Sequence, residues 1–206
     1  MTPPTAKRSS YHHGDLANAL VDAATGLARR SGPQAIVIRE AARIVGVSVS
    51  SAYRHFADHR DLVAAVKLRA QHELTAAMRA ESVEVRDDPA ARAVARLNAL
   101  GRGYLHFART EPGLFHTAFD ANTPRADASQ SFGLLAEALD GMVSSGAMPP
   151  ARRPGAETAV WATVHGLAEL LIDGGPLSRL DDAAAEAEIG NALDFINRAL
   201  VSSPSE

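Results

Sequence analysis

Apolar residues recur along most of this chain at intervals of three and four, the spacing that lines side chains along one face of an α-helix. Leu16, Leu20, Ala23, Ala24 and Leu27 form one such stripe and predict a helix from about Gly14 to Ser31. Ser31-Gly32-Pro33 ends it, with Gly past the last turn and Pro just beyond. Ile38, Ala41, Ala42 and Val45 predict a second, short helix. Gly46 follows where a left-handed turn residue is needed, Val47 is an apolar plug, and Ser48 is placed to cap a third helix, Val49 to about Phe56. Asp58 is placed to cap a long fourth helix that runs to about Ala80, with Leu62, Val66 and Leu74 among its apolar positions.

Beyond the charged break at 81–89, the pattern predicts five more helical segments. The first, Pro89 to Thr110, carries Val94, Leu97, Leu100, Tyr104, Leu105 and Phe107. Leu114 to Phe119 is short, and Phe132 to Val143 is marked by Leu134, Leu135, Leu139 and Met142. Ala156 to Asp173 and Asp181 to Ser202 close the chain, the last with a stripe of Ile189, Leu193, Ile196 and Leu200. The expected fold class is therefore all-α, with about nine helices.

Composition narrows the function classes. No cysteine is present among the 206 residues, which excludes disulfides and thiolate metal sites and fits a reducing compartment. No apolar run is long enough to span a bilayer, and the opening MTPPTAKRSS lacks the pattern of a signal peptide, so the cytoplasm is the expected location and no membrane partner is expected. The net charge of −3 is unevenly spread: residues 1–60 hold eight Lys/Arg against four Asp/Glu, and residues 61–206 hold thirteen against twenty. The basic part is the part that carries the short helical pair, as attraction to phosphate requires.

That pair, IREAARIVGVSVSSAYRHF from Ile38 to Phe56, reads as a helix-turn-helix that reads DNA. Its second helix offers Ser50, Ser51, Tyr53, Arg54 and His55, groups suited to phosphate and base-edge contact in a major groove. His59 and Arg60, at the start of the fourth helix, put cationic side chains beside a helix N-terminus, a backbone anchor for phosphate. Residues 1–10 read as a disordered arm in which Lys7 and Arg8 either reach phosphates or are simply solvated. His12 and His13 lack a third ligand nearby, and Asp58 restarts the helix between His55 and His59, so no metal site and no cofactor are expected.

The YHHGDL start at Tyr11 to Leu16, the helix-turn-helix, and DHRDLVAAV after it resemble the N-terminal domain of the TetR family of bacterial transcriptional repressors. The resemblance implies an N-terminal three-helix DNA-binding domain, 11–60, and a C-terminal helical ligand-sensing and dimerisation domain, 61–206. It implies that Arg39 contacts backbone or a base and that Ser48, Ser50 and Ser51 lie at the groove. It implies that Tyr53 and His55 hold phosphates. Arg54 is the expected base contact. His59 stands where many relatives have a lysine on phosphate, with Arg60 to compensate. The C-terminal half resembles, more loosely, a TetR-type domain marked by a Trp-His-Gly signature, here Trp161, His165 and Gly166, preceded by YLHFARTEPGLFHTAF.

A pocket in a helical bundle is apolar with a few convergent polar groups. Tyr104, Phe107, Phe115, His116, Phe119, Met142, Trp161 and His165 supply that chemistry for a small-molecule effector, although the same residues equally fill a core. His165 either bonds an effector or satisfies a buried carbonyl. The last two helices are expected to form a homodimer through Leu167, Leu170, Leu171, Ile189, Leu193, Ile196 and Leu200, with Gly166 permitting close approach. A two-fold dimer requires a palindromic double-stranded operator. The function so read is a dimeric repressor released from its operator by ligand. An activator or ligand-independent regulator is the alternative. A helical enzyme lacks support, because the chain has no nucleophile motif, no phosphate-binding Gly loop and no helical His-Glu pair with a third ligand.

Overall fold

The computed structural model describes residues 13–83, 86–121, 129–172 and 174–201. The expected arm, with Lys7 and Arg8, and His12 lie outside these residues. All regular structure among the described residues is helical. In chain order it is α1 (His13–Ser31), α2 (Ile38–Val45), α3 (Val49–Ala52), α4 (His59–Ala80), α5 (Pro89–Thr110), α6 (Pro112–Ala118), α7 (Ser129–Ser144), α8 (Ala156–Leu171) and α9 (Asp182–Val201). Single 3₁₀ turns occupy Pro33–Ala35 and Pro150–Arg152. No described helix is long and apolar enough to cross a membrane.

The local signals act as their chemistry requires. Gly46 ends α2 in the left-handed conformation, φ 79°, where a Cβ would be costly. Ser48 Oγ accepts the backbone N–H of Ser51, and Asp58 and Asp88 cap α4 and α5 in the same way. Beside small shifts in the bounds of α6, α7 and α8, two local differences from the sequence expectation stand out. The second helix of the helix-turn-helix is regular only to Ala52; Arg54 and His55 then bond to the carbonyls of Ser51 and Ala52, three residues back, and the chain tightens into a turn. After Gly32, the Pro33–Ala35 turn adds a 3₁₀ element where only a stop was expected.

α4 is the element that joins the two ends of the molecule. It packs on α1, α5, α6 and α7. The contact with α5 is close because residue 103 is glycine: a Cβ there would lie 2.7 Å from the Ala77 carbonyl oxygen and the Met78 Cα. The expected division between residues 60 and 61 falls in the first turn of α4. One continuous apolar core runs from Leu20, Ile36 and Phe56 through Leu74 and Leu105 to Leu139 and Ile189. Each such fully buried side chain contributes about 1.5–3 kcal/mol.

That core corrects the expected dimer surface. Ile189, Leu193, Ile196 and Leu200 are buried within the chain, and so is Leu171. The stripe of α9 is covered by its own protomer, since α9 packs on α5 and α8. A regular apolar stripe states that a face is buried, not which neighbour buries it. Leu167 is half-buried against the same core, and Leu170 alone of the seven is exposed.

Candidate nucleic-acid interface and effector pocket

The helix-turn-helix presents the groups expected of it, with differences in detail. Arg39 is exposed on α2. Ser50, Tyr53 and Arg54 are all exposed, at the i, i+3 and i+4 spacing that shares one side of a helical turn. Tyr53 is 48% exposed, a large aromatic with no cover in the free chain. Ser51 and His55 are half-buried. Ser48, Ser50 and Ser51 form a hydroxyl cluster, with Ser48 Oγ 3.1 Å from Ser50 Oγ and 2.9 Å from Ser51 Oγ. Ser48 is thus first a helix cap. On α2, Arg43 is held by Glu40 through Nε at 2.9 Å, and this bond keeps the Glu40 carboxyl below its usual pKa. Sequence reasoning missed two apolar residues at this end of the molecule, Val37 and Ile44, each almost half exposed.

The start of α4 is arranged differently from expectation. Asp58 accepts the N–H groups of Arg60 and Asp61, and Asp61 accepts that of Ala57. Two carboxylates therefore already satisfy this helix N-terminus, which weakens it as a phosphate anchor. His59 Nε2–H donates to the Ile36 carbonyl at 2.6 Å and fastens α4 to the segment between α1 and α2. Arg60 remains exposed.

In the C-terminal half, α5, α6 and α8 bring five of the eight expected pocket residues into one aromatic cluster. Tyr104 lies 5.5 Å from Phe115, 6.1 Å from Phe119 and 5.3 Å from Trp161, ring centre to ring centre. His165 packs on Phe119 at 4.9 Å and on Trp161 at 6.4 Å. Among the described aromatic rings His116 approaches Phe115 alone, at 6.5 Å, and Phe132 of α7, missed in the sequence, packs on Trp161 at 5.5 Å. Phe107 and Met142 are buried in the core outside this cluster. Helical spacing finds such residues but does not say which helix each will face.

The polar centre of the cluster is a hydrogen bond of 2.7 Å between Tyr104 Oη and His165 Nδ1. Burial raises the Tyr104 pKa, with the Glu169 charge adding to it, so the phenol stays protonated. Burial lowers that of His165, against the opposing pull of Glu169, so the imidazole is neutral. The Glu169 carboxylate, an acceptor, lies on the Nε2 side, so Nε2 carries the proton, Nδ1 accepts and Tyr104 donates. The remaining Nε2–H points toward Glu169, 3.9 Å away.

Beside Tyr104 and Trp161 lies a cavity of about 30 Å³. Its other walls are aliphatic and include Met78 of α4, Leu97 and Leu100 of α5, and Leu193 and Ile196 of α9. None of those aliphatics was expected as pocket, because apolar residues at helical spacing carry no mark that separates lining from core.

Residues 97–192 match the family described as "Tetracyclin repressor-like, C-terminal domain". No curated protein matches the sequence. Solved structures share the fold along most of the chain. A Rhodococcus sp. RHA1 protein of unknown function aligns with a TM-score of 0.70 and 26% identity, over 95% of this chain and all of its own (100%). A tetR-family transcriptional regulator from Streptomyces coelicolor aligns with a TM-score of 0.58 and 21% identity, over 90% of this chain and 83% of its own. The flavonoid-responsive regulator FrrA aligns with a TM-score of 0.60 and 22% identity, over 94% and 100%. Residues 97–192 thus carry a tetracycline-repressor-like C-terminal domain, behind a helix-turn-helix and in a fold that the chain shares with these regulators.

Proposed function

We propose that this DNA-binding regulator is a homodimeric repressor that leaves a palindromic operator when an apolar, aromatic effector enters the C-terminal bundle. The observation that carries the reading is the reach of α4. Its first residues adjoin the helix-turn-helix, and Met78 near its end lines the interior cavity. A helix of 22 residues spans roughly 33 Å. Midway, Lys67 Nζ donates to the Asp120 carbonyl at 2.7 Å and Gln71 Nε2 to the Ala118 carbonyl at 3.1 Å, so α4 grips the end of α6. α6 in turn supplies Phe115 to the aromatic cluster, and Phe119 closes its end there.

A cavity of about 30 Å³ is far below the ~300–1,000 Å³ of ordinary ligand sites. An effector therefore widens it, and the displacement of Met78 and α6 is the route to the DNA-binding end. This is a two-state equilibrium biased by an effector that binds the wider state better. The flavonoid response of FrrA is consistent with a planar aromatic effector. The smallness of the cavity equally favours a second reading, a regulator that acts without an effector.

The dimer in this reading uses the outer faces of α8 and α9. Ala159, Ala162, Gly166 and Leu170 form an exposed stripe of small and apolar residues at helical spacing on α8, and Phe195 of α9 is 59% exposed. The test is fluorescence anisotropy of the purified protein on labelled DNA from its own promoter region, with scrambled DNA as control, at two salt concentrations. Selective binding that weakens with salt supports the regulator acting there. Addition of planar aromatics with Trp161 emission recorded in parallel separates the two readings, because Trp161 is the single tryptophan of the chain. Release without an emission change counts against the proposed pocket, and failure of all aromatics favours the effector-free reading.

A further inference from the structure

We propose a second binding site, outside the effector pocket, for a small organic carboxylate with a compact apolar body. It is a groove of about 360 Å³ between Ser82 and Arg86, beyond the end of α4, and the outer face of α5. Ser82 and Arg86 stand on the first side, and Asn98 and Arg102 on the second, with Ala95 and Ala99 in its floor. The groove is large enough for a small ligand as it stands, which the interior cavity is not.

Its unusual group is Arg102. The other half-buried arginines among the described residues each have a partner. Arg69 holds Asp22, Arg109 holds Asp182, Arg153 holds Asp140 and Glu157, and Arg152 holds the Ala199 carbonyl. The Arg102 guanidinium makes no hydrogen bond or ion pair with any described residue, although the residue is half-buried. A partly desolvated guanidinium is stabilised by an anion and presents a fork that matches a carboxylate. One unpartnered guanidinium fits one negative charge. Ser82 and Asn98 are neutral hydrogen-bonding groups beside it, and Asn98 is itself fixed by Asn197 Nδ2 of α9 at 3.0 Å. The alanine floor favours an apolar body over a sugar or a bare inorganic ion. Gly103, the next residue, is where α5 lies against the backbone of α4. A ligand in the groove therefore ties the end of α4 to α5.

The test is calorimetric titration of the full-length protein with benzoate, benzyl alcohol and inorganic phosphate. Benzoate is expected to bind saturably, once per protomer, and at least tenfold more tightly than the neutral alcohol or phosphate. Arg102→Gln is expected to weaken benzoate at least tenfold. Ala95→Leu, which fills the floor and keeps the guanidinium, is expected to do the same, and guards against a folding defect in the first variant. Tyr104→Phe, in the interior cluster, is expected to leave benzoate binding unchanged. The proposal is overturned by absence of saturable benzoate binding, by phosphate binding as tightly as benzoate, or by Arg102→Gln binding like the parent protein. Loss of binding in Tyr104→Phe alone would also overturn it, and would assign benzoate to the interior cavity. Operator binding plays no part in the readout, so this site and the repressor reading fail separately.

Discussion

Among single residues, Arg54 carries the sharpest expectation. It is exposed, and no hydrogen bond or ion pair to a described residue holds its guanidinium. A bidentate base contact discriminates by about 1–3 kcal/mol. Arg54→Ala is therefore expected to lower operator affinity by roughly tenfold to a hundredfold, measured by anisotropy, with an unchanged sedimentation profile. A change in oligomeric state would instead assign Arg54 a structural role. His165 gives a pH prediction. Burial holds its pKa below the unfolded value, ~6.5, so the unfolded chain takes up this proton first as pH falls. Its contribution to stability is thus complete above about 6.5 and is lost as pH falls through the folded value. Thermal melts between pH 8 and pH 5 are expected to fall more steeply for the parent protein than for His165→Gln. Parallel curves would show that this imidazole does not titrate differently on folding.

For the helices, the seams around α4 decide behaviour. Gly103→Ala places a methyl 2.7 Å from backbone atoms of α4, which have no rotamer with which to yield. Overpacking of this kind costs about 1–3 kcal/mol, and the melting temperature is expected to drop accordingly. An unchanged melt would mean that α4 and α5 slide apart freely. Lys67 tests transmission: its ammonium donates to the end of α6, and burial lowers its pKa against the opposing charge of Asp120. Lys67→Met keeps the volume and removes the bond. In the proposed mechanism this variant still binds operator but responds less to effector. Full effector response in Lys67→Met would move the coupling route away from this contact.

At the scale of the whole molecule, charge and symmetry dominate. The basic excess lies in residues 1–60 and the acidic excess in the remainder, so DNA affinity is expected to fall steeply with salt. Phe195→Asp puts a charge at the most exposed large apolar residue of the described chain. It is expected to yield monomers in analytical ultracentrifugation and to weaken operator binding although the helix-turn-helix is untouched. A dimeric Phe195→Asp protein would place the interface elsewhere.

The sequence by itself determined the helical segments, their caps and the turn of the helix-turn-helix. Those depend on local physics: the 3.6-residue period, a side-chain oxygen at Ser48 or Asp58, and a left-handed turn at Gly46 act within a few residues of one another. Only the tertiary structure decided what each apolar stripe faces. Leu193 and Ile196 read as an interface and turn out to line a cavity within the protomer, while Phe195 between them points outward. Periodicity reports that a face leaves water and is silent on whether its cover comes from the same chain. His59 makes the same point on a polar group: in the sequence it stands as a cation for phosphate, and in the fold its ring binds the Ile36 carbonyl, brought near from 23 residues away.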